Sequence, residues 1–128
     1  MKGDRARPLG GACGRGSAKD GVGHWMRQRV TAVGLGFLTV WLLCTILSLL
    51  HADYATARAT LMKPWNAVLL IAFLLTMFRH AVLGLQVVIE DYVHTRWVEV
   101  ASLIVIKFIA VLAALTGVLA VVRVALGS

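Results

Sequence analysis

The chain has 128 residues, is 59% hydrophobic and carries a formal net charge of +7 at pH 7. That apolar share exceeds the ~45–50% usual for soluble domains, and the length allows at most one small domain. A water-soluble enzyme with a flavin fold of its own is thereby excluded, and the positive charge has to be read against a lipid surface.

Residues 1–29 form a Gly-rich basic tail in which Lys2, Arg5, Arg7, Arg15, Lys19, Arg27 and Arg29 face only Asp4 and Asp20. Such a composition offers little apolar surface to bury and predicts a mobile segment. Basic clusters can meet nucleic acid, but Lys and Arg beside membrane spans mark the cytoplasmic side. No nucleic-acid partner is therefore expected.

From residue 30 onward the chain reads as a membrane anchor domain, 30–128, with apolar runs at about 30–50, 65–89 and 98–126. Each run meets the roughly 20 residues that a helix needs to cross a ~30 Å hydrocarbon layer. None alternates in polarity, and each is about twice the ~9–11 residues of a tilted barrel strand. The expected fold is an all-α membrane protein of three transmembrane helices, with a lipid bilayer as its solvent.

The first link, "HADYATARATLMKP", is polar and ends in Pro64, which suits the first turn of a helix whose early amides lack partners. Trp65 then opens the second span. The second link, "EDYVHTRW", is short enough to make spans two and three antiparallel neighbours. The tail and this second link hold eight basic residues, whereas the first link and C-terminus hold three, Arg58, Lys63 and Arg123. The imbalance predicts an inner N-terminus and an outer C-terminus.

"ATA" at 55–57 resembles a secretory cleavage site, yet the charged region and the first apolar run are both longer than the ~7–15-residue apolar segment of a signal peptide. The first span is expected to stay. Cys13 falls in the inner tail and Cys44 inside the first span, sharing neither location nor an oxidising compartment, so no disulfide or Cys metal site is expected.

Chemistry must then come from the few polar groups at membrane depth: Arg79, His80, Gln86, Lys107 and some hydroxyls. Ionisable groups there are costly, which makes function the default reading. By helical rise, His80 lies about 14 Å from the inner end of its span, near the midplane. A neutral imidazole offers one lone pair to a metal and one N–H to a second acceptor, and intramembrane haem iron uses such a ligand. Gly84, one turn on, leaves room for a flat macrocycle or a close helix. The alternative for His80 is a bond to a neighbouring helix. Asp91, eleven residues on, shares nearly the same face about 16 Å further inward.

The stretch "HAVLGLQVVIEDYVH" resembles the H-x-x-x-G-(x)6-D-Y pattern of the hydrophobic membrane anchor subunit of succinate dehydrogenase, every position being filled by His80, Gly84, Asp91 and Tyr92. Upstream, "GHWMRQRVTA" is similar to the segment before the first span of bacterial members, and the resemblance covers roughly residues 23–126. It favours the D-type anchor over the other, C-type anchor. What the resemblance implies is a haem b shared with a second anchor subunit, with His80 as one axial ligand to its iron and Arg29 near the propionates. Tyr92 would hydrogen-bond ubiquinone, and Asp91 would line that pocket. The interval from His24 to Arg29 differs by one residue from some family members, so His24 receives no role. An iron–sulfur subunit and a flavoprotein subunit would complete the complex, in which this chain would anchor rather than catalyse.

Other features read plainly. Arg79 would meet a propionate or a partner's acid, or snorkel; Lys107 would pair in the bundle or snorkel; Trp25, Trp65 and Trp97 would be interfacial anchors and Trp41 packing. Two rival readings stand beside the anchor. A small transporter would want an acid inside a span, and all six Asp and Glu lie outside spans or at their ends. A diheme cytochrome b would use His94, fourteen residues beyond His80, but His94 lies past the apolar run. The absence of an obvious cleavable presequence leans the expected location to a bacterial inner membrane, with the mitochondrial inner membrane as the alternative.

Overall fold

The structure, a computed structural model, describes the backbone of residues 15–128 and the side chains of residues 21–128. Four α-helices follow in order: α1, Arg15–Ser48; α2, Tyr54–Met62; α3, Pro64–Tyr92; α4, Arg96–Leu126. No strand occurs among the described residues. Three stretches, Gly21–Ser48, Pro64–Tyr92 and Arg96–Leu126, are long and apolar enough to cross a membrane.

These spans form a row rather than a closed bundle. α3 packs on α1 along one side and on α4 along the other, while α1 and α4 do not meet among the described residues. The register is antiparallel in both pairs. Between α1 and α3, Gly34 approaches Thr76 and Thr31 approaches His80. Across α3 and α4, a Cβ on Gly117 would stand 3.1 Å from Leu74. Small residues let backbones come close where lipid gives no hydrophobic drive to associate. Among the described residues only Ala67, Leu83 and Ala114 are buried, and large side chains such as Phe37 and Phe108 point outward. In hydrocarbon such faces carry no penalty, and they are available to partner helices.

Two features lie beyond the sequence expectations. The helix that carries the first span begins ahead of residue 30, α1 running back to Arg15. Lengthening an existing helix adds one hydrogen bond per ordered residue without the cost of a new nucleus. The Arg27 Nε also donates to the Gly23 carbonyl at 3.1 Å, supporting that turn. The mobility predicted for residues 1–14, including Lys2, Asp4, Arg5, Arg7 and Cys13, falls outside the described residues.

The first link, read as polar and ending in Pro64, contains α2. Asp53 caps that helix by accepting from the Thr56 amide at 3.3 Å. Thr56, first through its hydroxyl and then through its amide, holds the Asp53 carboxyl below its ordinary value. Lys63 ends α2 and also precedes α3, whose first residue is Pro64 as expected. At the far end α4 stops at Gly127, whose φ of 79° is the left-handed conformation that glycine adopts without strain. The Arg58 guanidinium donates to the Gly127 carbonyl at 2.9 Å, tying α2 to the chain terminus.

Candidate functional site

His80 lies in the middle of α3 on the stripe that meets α1. It is half-buried, and its Nδ1 stands 3.2 Å from the Thr31 hydroxyl. That hydroxyl also reaches back along its own helix, 2.9 Å from the Arg27 carbonyl and 3.0 Å from the Gln28 carbonyl. Such back-bonding is the ordinary habit of a mid-helix threonine; the contact to a histidine of the next span is not. The other ring nitrogen of His80, Nε2, has no hydrogen-bond partner among the described residues.

Gly84, on the same side of α3 one turn toward its C-terminus, has nothing within 4 Å of where a Cβ would stand. The space beside it is open rather than filled by α1 or α4. Further along, α3 continues through Asp91 and Tyr92 without a break, so Asp91 keeps the face predicted for it. Both are exposed, Tyr92 to 80% of its surface. Just above them Gln86 donates to the Glu90 carboxylate at 2.8 Å. This chain alone therefore presents an open edge at the C-terminal end of α3 rather than an enclosed pocket.

Arg29 does not converge with His80. It lies two residues from Thr31, about 200° round the helix, and its guanidinium carbon sits 4.9 Å from the centroid of the Trp25 ring. Trp25 thus has a cation–π partner as well as the interfacial position expected of it. His24, two turns from Thr31 on nearly the same face of α1, has its Nε2 enclosed with no hydrogen-bond partner among the described residues. His94 lies beyond the end of α3, with its Nδ1 3.1 Å from the Tyr92 carbonyl. It does not extend the His80 face as a second axial position would require.

Arg79 and Lys107 come to a common place. Both border a cleft of about 340 Å³ between α3 and α4, with Leu75, Phe78, Val82 and Ala114 among its apolar walls. This cleft opens on the α4 side of α3, away from the His80–Thr31 contact. Every acid of the chain lies outside the two spans that form it or at their ends.

Sequence reasoning missed two of these features. Thr31 gave no signal because a threonine in an apolar run reads as a self-satisfied hydroxyl, and its partner is fixed only by the α1–α3 register. The enclosure of His24 likewise depends on that register.

Over residues 3–114 the chain matches the family described as succinate dehydrogenase/fumarate reductase transmembrane subunit. It is similar to the succinate dehydrogenase hydrophobic membrane anchor subunit of Rickettsia bellii (strain RML369-C), 36% identical over 83% of this chain and 85% of the relative. The subunits of the same name from Rickettsia typhi (strain ATCC VR-144 / Wilmington) and Rickettsia prowazekii (strain Madrid E) are 33% and 32% identical. They cover 75% and 81% of this chain, and 77% and 83% of the respective relatives. No solved structure matches the chain.

Proposed function

Since the chain belongs to the succinate dehydrogenase/fumarate reductase transmembrane subunit family, we propose that it works as the hydrophobic anchor of a succinate:quinone oxidoreductase in a bacterial inner membrane. In this reading it holds a flavoprotein and an iron–sulfur subunit at the membrane, and contributes half of a haem b site and one wall of a ubiquinone site. It is not an enzyme by itself.

The observation that carries the haem reading is His80: a half-buried imidazole at mid-span with Nδ1 against Thr31 and Nε2 left without a partner among the described residues. The residues fit the group. Gly84 keeps the adjacent turn clear of side-chain atoms, and the exposed apolar flanks of α1 and α4 can take the helices of a second anchor subunit. A bound haem would supply a one-electron reservoir between the soluble subunits and quinone. His80 would hold it through Nε2, and Gly84 would leave the adjacent turn free of side-chain atoms. Arg29, turned toward Trp25, would have to release that ring to meet a propionate.

At the inner end of α3 the exposed Tyr92 offers a phenol O–H to a quinone carbonyl, and the neighbouring Asp91 gives a carboxylate at the water boundary from which protons can pass. A hydrogen-bond donor aimed at an oxygen that gains negative charge favours the charged state over the neutral one. The open edge formed by this chain needs a second wall, which the partner subunits would provide.

The test is isolation of the native complex through a tag on this chain. Copurification of one flavoprotein, one iron–sulfur protein and a second anchor, with flavin and one b-type haem per complex, is the expected result. Two haems without flavin would contradict it.

A further inference from the structure

We infer that Thr31 is the positioning residue of His80: its hydroxyl accepts the Nδ1–H of the imidazole and so selects the tautomer that presents a lone pair at Nε2. This inference rests on the haem reading above. It names a residue on another helix as the group that orients the ligand.

The argument is a proton count. A threonine hydroxyl has one proton and two lone pairs. Thr31 Oγ1 lies 2.9 Å from the Arg27 carbonyl and 3.0 Å from the Gln28 carbonyl, neither of which can donate. Its proton is therefore directed along its own helix, toward one of these oxygens or shared by both. What remains toward His80 Nδ1, 3.2 Å away, is a lone pair. A lone pair facing nitrogen at that distance is favourable only if the nitrogen carries hydrogen.

The other protonation states are worse. With the proton on Nε2, the ring would hold an N–H toward a region where the described residues provide no acceptor, and an unpaired donor inside a hydrocarbon layer is strongly disfavoured. It would also block the nitrogen that must bind iron. A doubly protonated ring would place an uncompensated charge at mid-span. The register of α1 against α3, set at the neighbouring turn by Gly34 against Thr76, thus chooses the state of His80. Hydrogen bonding of the distal N–H fixes ring orientation and raises the basicity of a metal-bound histidine. Thr31 would therefore act on the electron density delivered to the iron as well as on geometry.

The test compares the purified complex carrying native Thr31, Thr31→Ser, Thr31→Val and His80→Leu. Valine keeps the shape of threonine and removes the acceptor; serine keeps the acceptor. Expected for Thr31→Val are an upward shift of the haem midpoint potential, a changed low-spin electron paramagnetic resonance g-value, and haem retention weakened by about 10- to 100-fold in affinity, the range typical of lost outer partners of metal ligands. Thr31→Ser should restore all three. If Thr31→Val does not assemble, Thr31→Ala takes its place with the same expectations. A valine or alanine variant with native potential, g-values and haem retention overturns the inference, provided that His80→Leu loses the haem. If His80→Leu keeps a native haem spectrum, the ligation reading itself fails and this inference falls with it.

Discussion

At the scale of single residues the chain keeps a half-buried imidazole and an exposed carboxylate and phenol at separate places along one helix. His80 sits at mid-span against Thr31, while Asp91 and Tyr92 stand exposed where α3 ends. If Tyr92 donates to quinone, Tyr92→Phe deletes the donor and keeps the ring. A hydrogen bond to a group gaining charge is worth ~1.5–3 kcal/mol, so quinone reduction should fall by roughly 10- to 150-fold. Succinate oxidation by an artificial soluble acceptor should stay normal. Parallel loss of both activities, or of neither, contradicts the assignment. The pattern that picked out His80, Gly84, Asp91 and Tyr92 was legible because all four lie on one continuous stretch. Thr31 and the enclosed His24 were not, since their meaning arises from a neighbour 49 residues away in sequence for Thr31 and from helix packing for His24.

At the scale of elements, hydropathy found the three spans, because a run of about 20 apolar residues in lipid has few structures open to it. Their mutual faces were hidden, since helices that are apolar all round carry no amphipathic stripe. The contact of Gly117 with Leu74 is such a hidden face. Gly117→Leu would overpack it, at a cost of about 1–3 kcal/mol, and should lower the melting temperature of the detergent-solubilised protein; an unchanged melting temperature would mean that α3 and α4 do not meet there. α2 escaped notice because nine residues in a polar link give too short a period to read. Its Asp53 cap gives a pH signature. Hydrogen bonding from Thr56 lowers the native carboxyl below its unfolded value, so the stabilisation is complete above the ordinary aspartate range and is lost as pH falls through the lowered native value. The Thr56 amide resonance should accordingly titrate with a midpoint below that of an unstructured aspartate, and Asp53→Ala should abolish that step. A midpoint at or above the unstructured value would contradict the cap.

At the scale of the whole molecule, three spans in a row leave α1 and α4 each with an unoccupied side, a shape suited to assembly rather than to independent work. Arg79 and Lys107 face one cleft in a chain without a mid-span acid, so any compensating charge has to come from outside it. The excess of basic residues in the N-terminal region and the second link predicts that both lie on the cytoplasmic side. A single reporter cysteine at Thr95→Cys, with Cys13 and Cys44 replaced, should be labelled by an impermeant reagent only from the cytoplasmic face. Labelling from the outer face would invert the topology and put Tyr92 on the side away from the proposed soluble subunits. Whether His80 holds one side of a shared haem is decided by the visible spectrum of the purified complex carrying His80→Leu. The low-spin b-type bands should be lost or strongly altered while the flavoprotein and iron–sulfur subunits remain bound. A native spectrum at full haem content would contradict the claim.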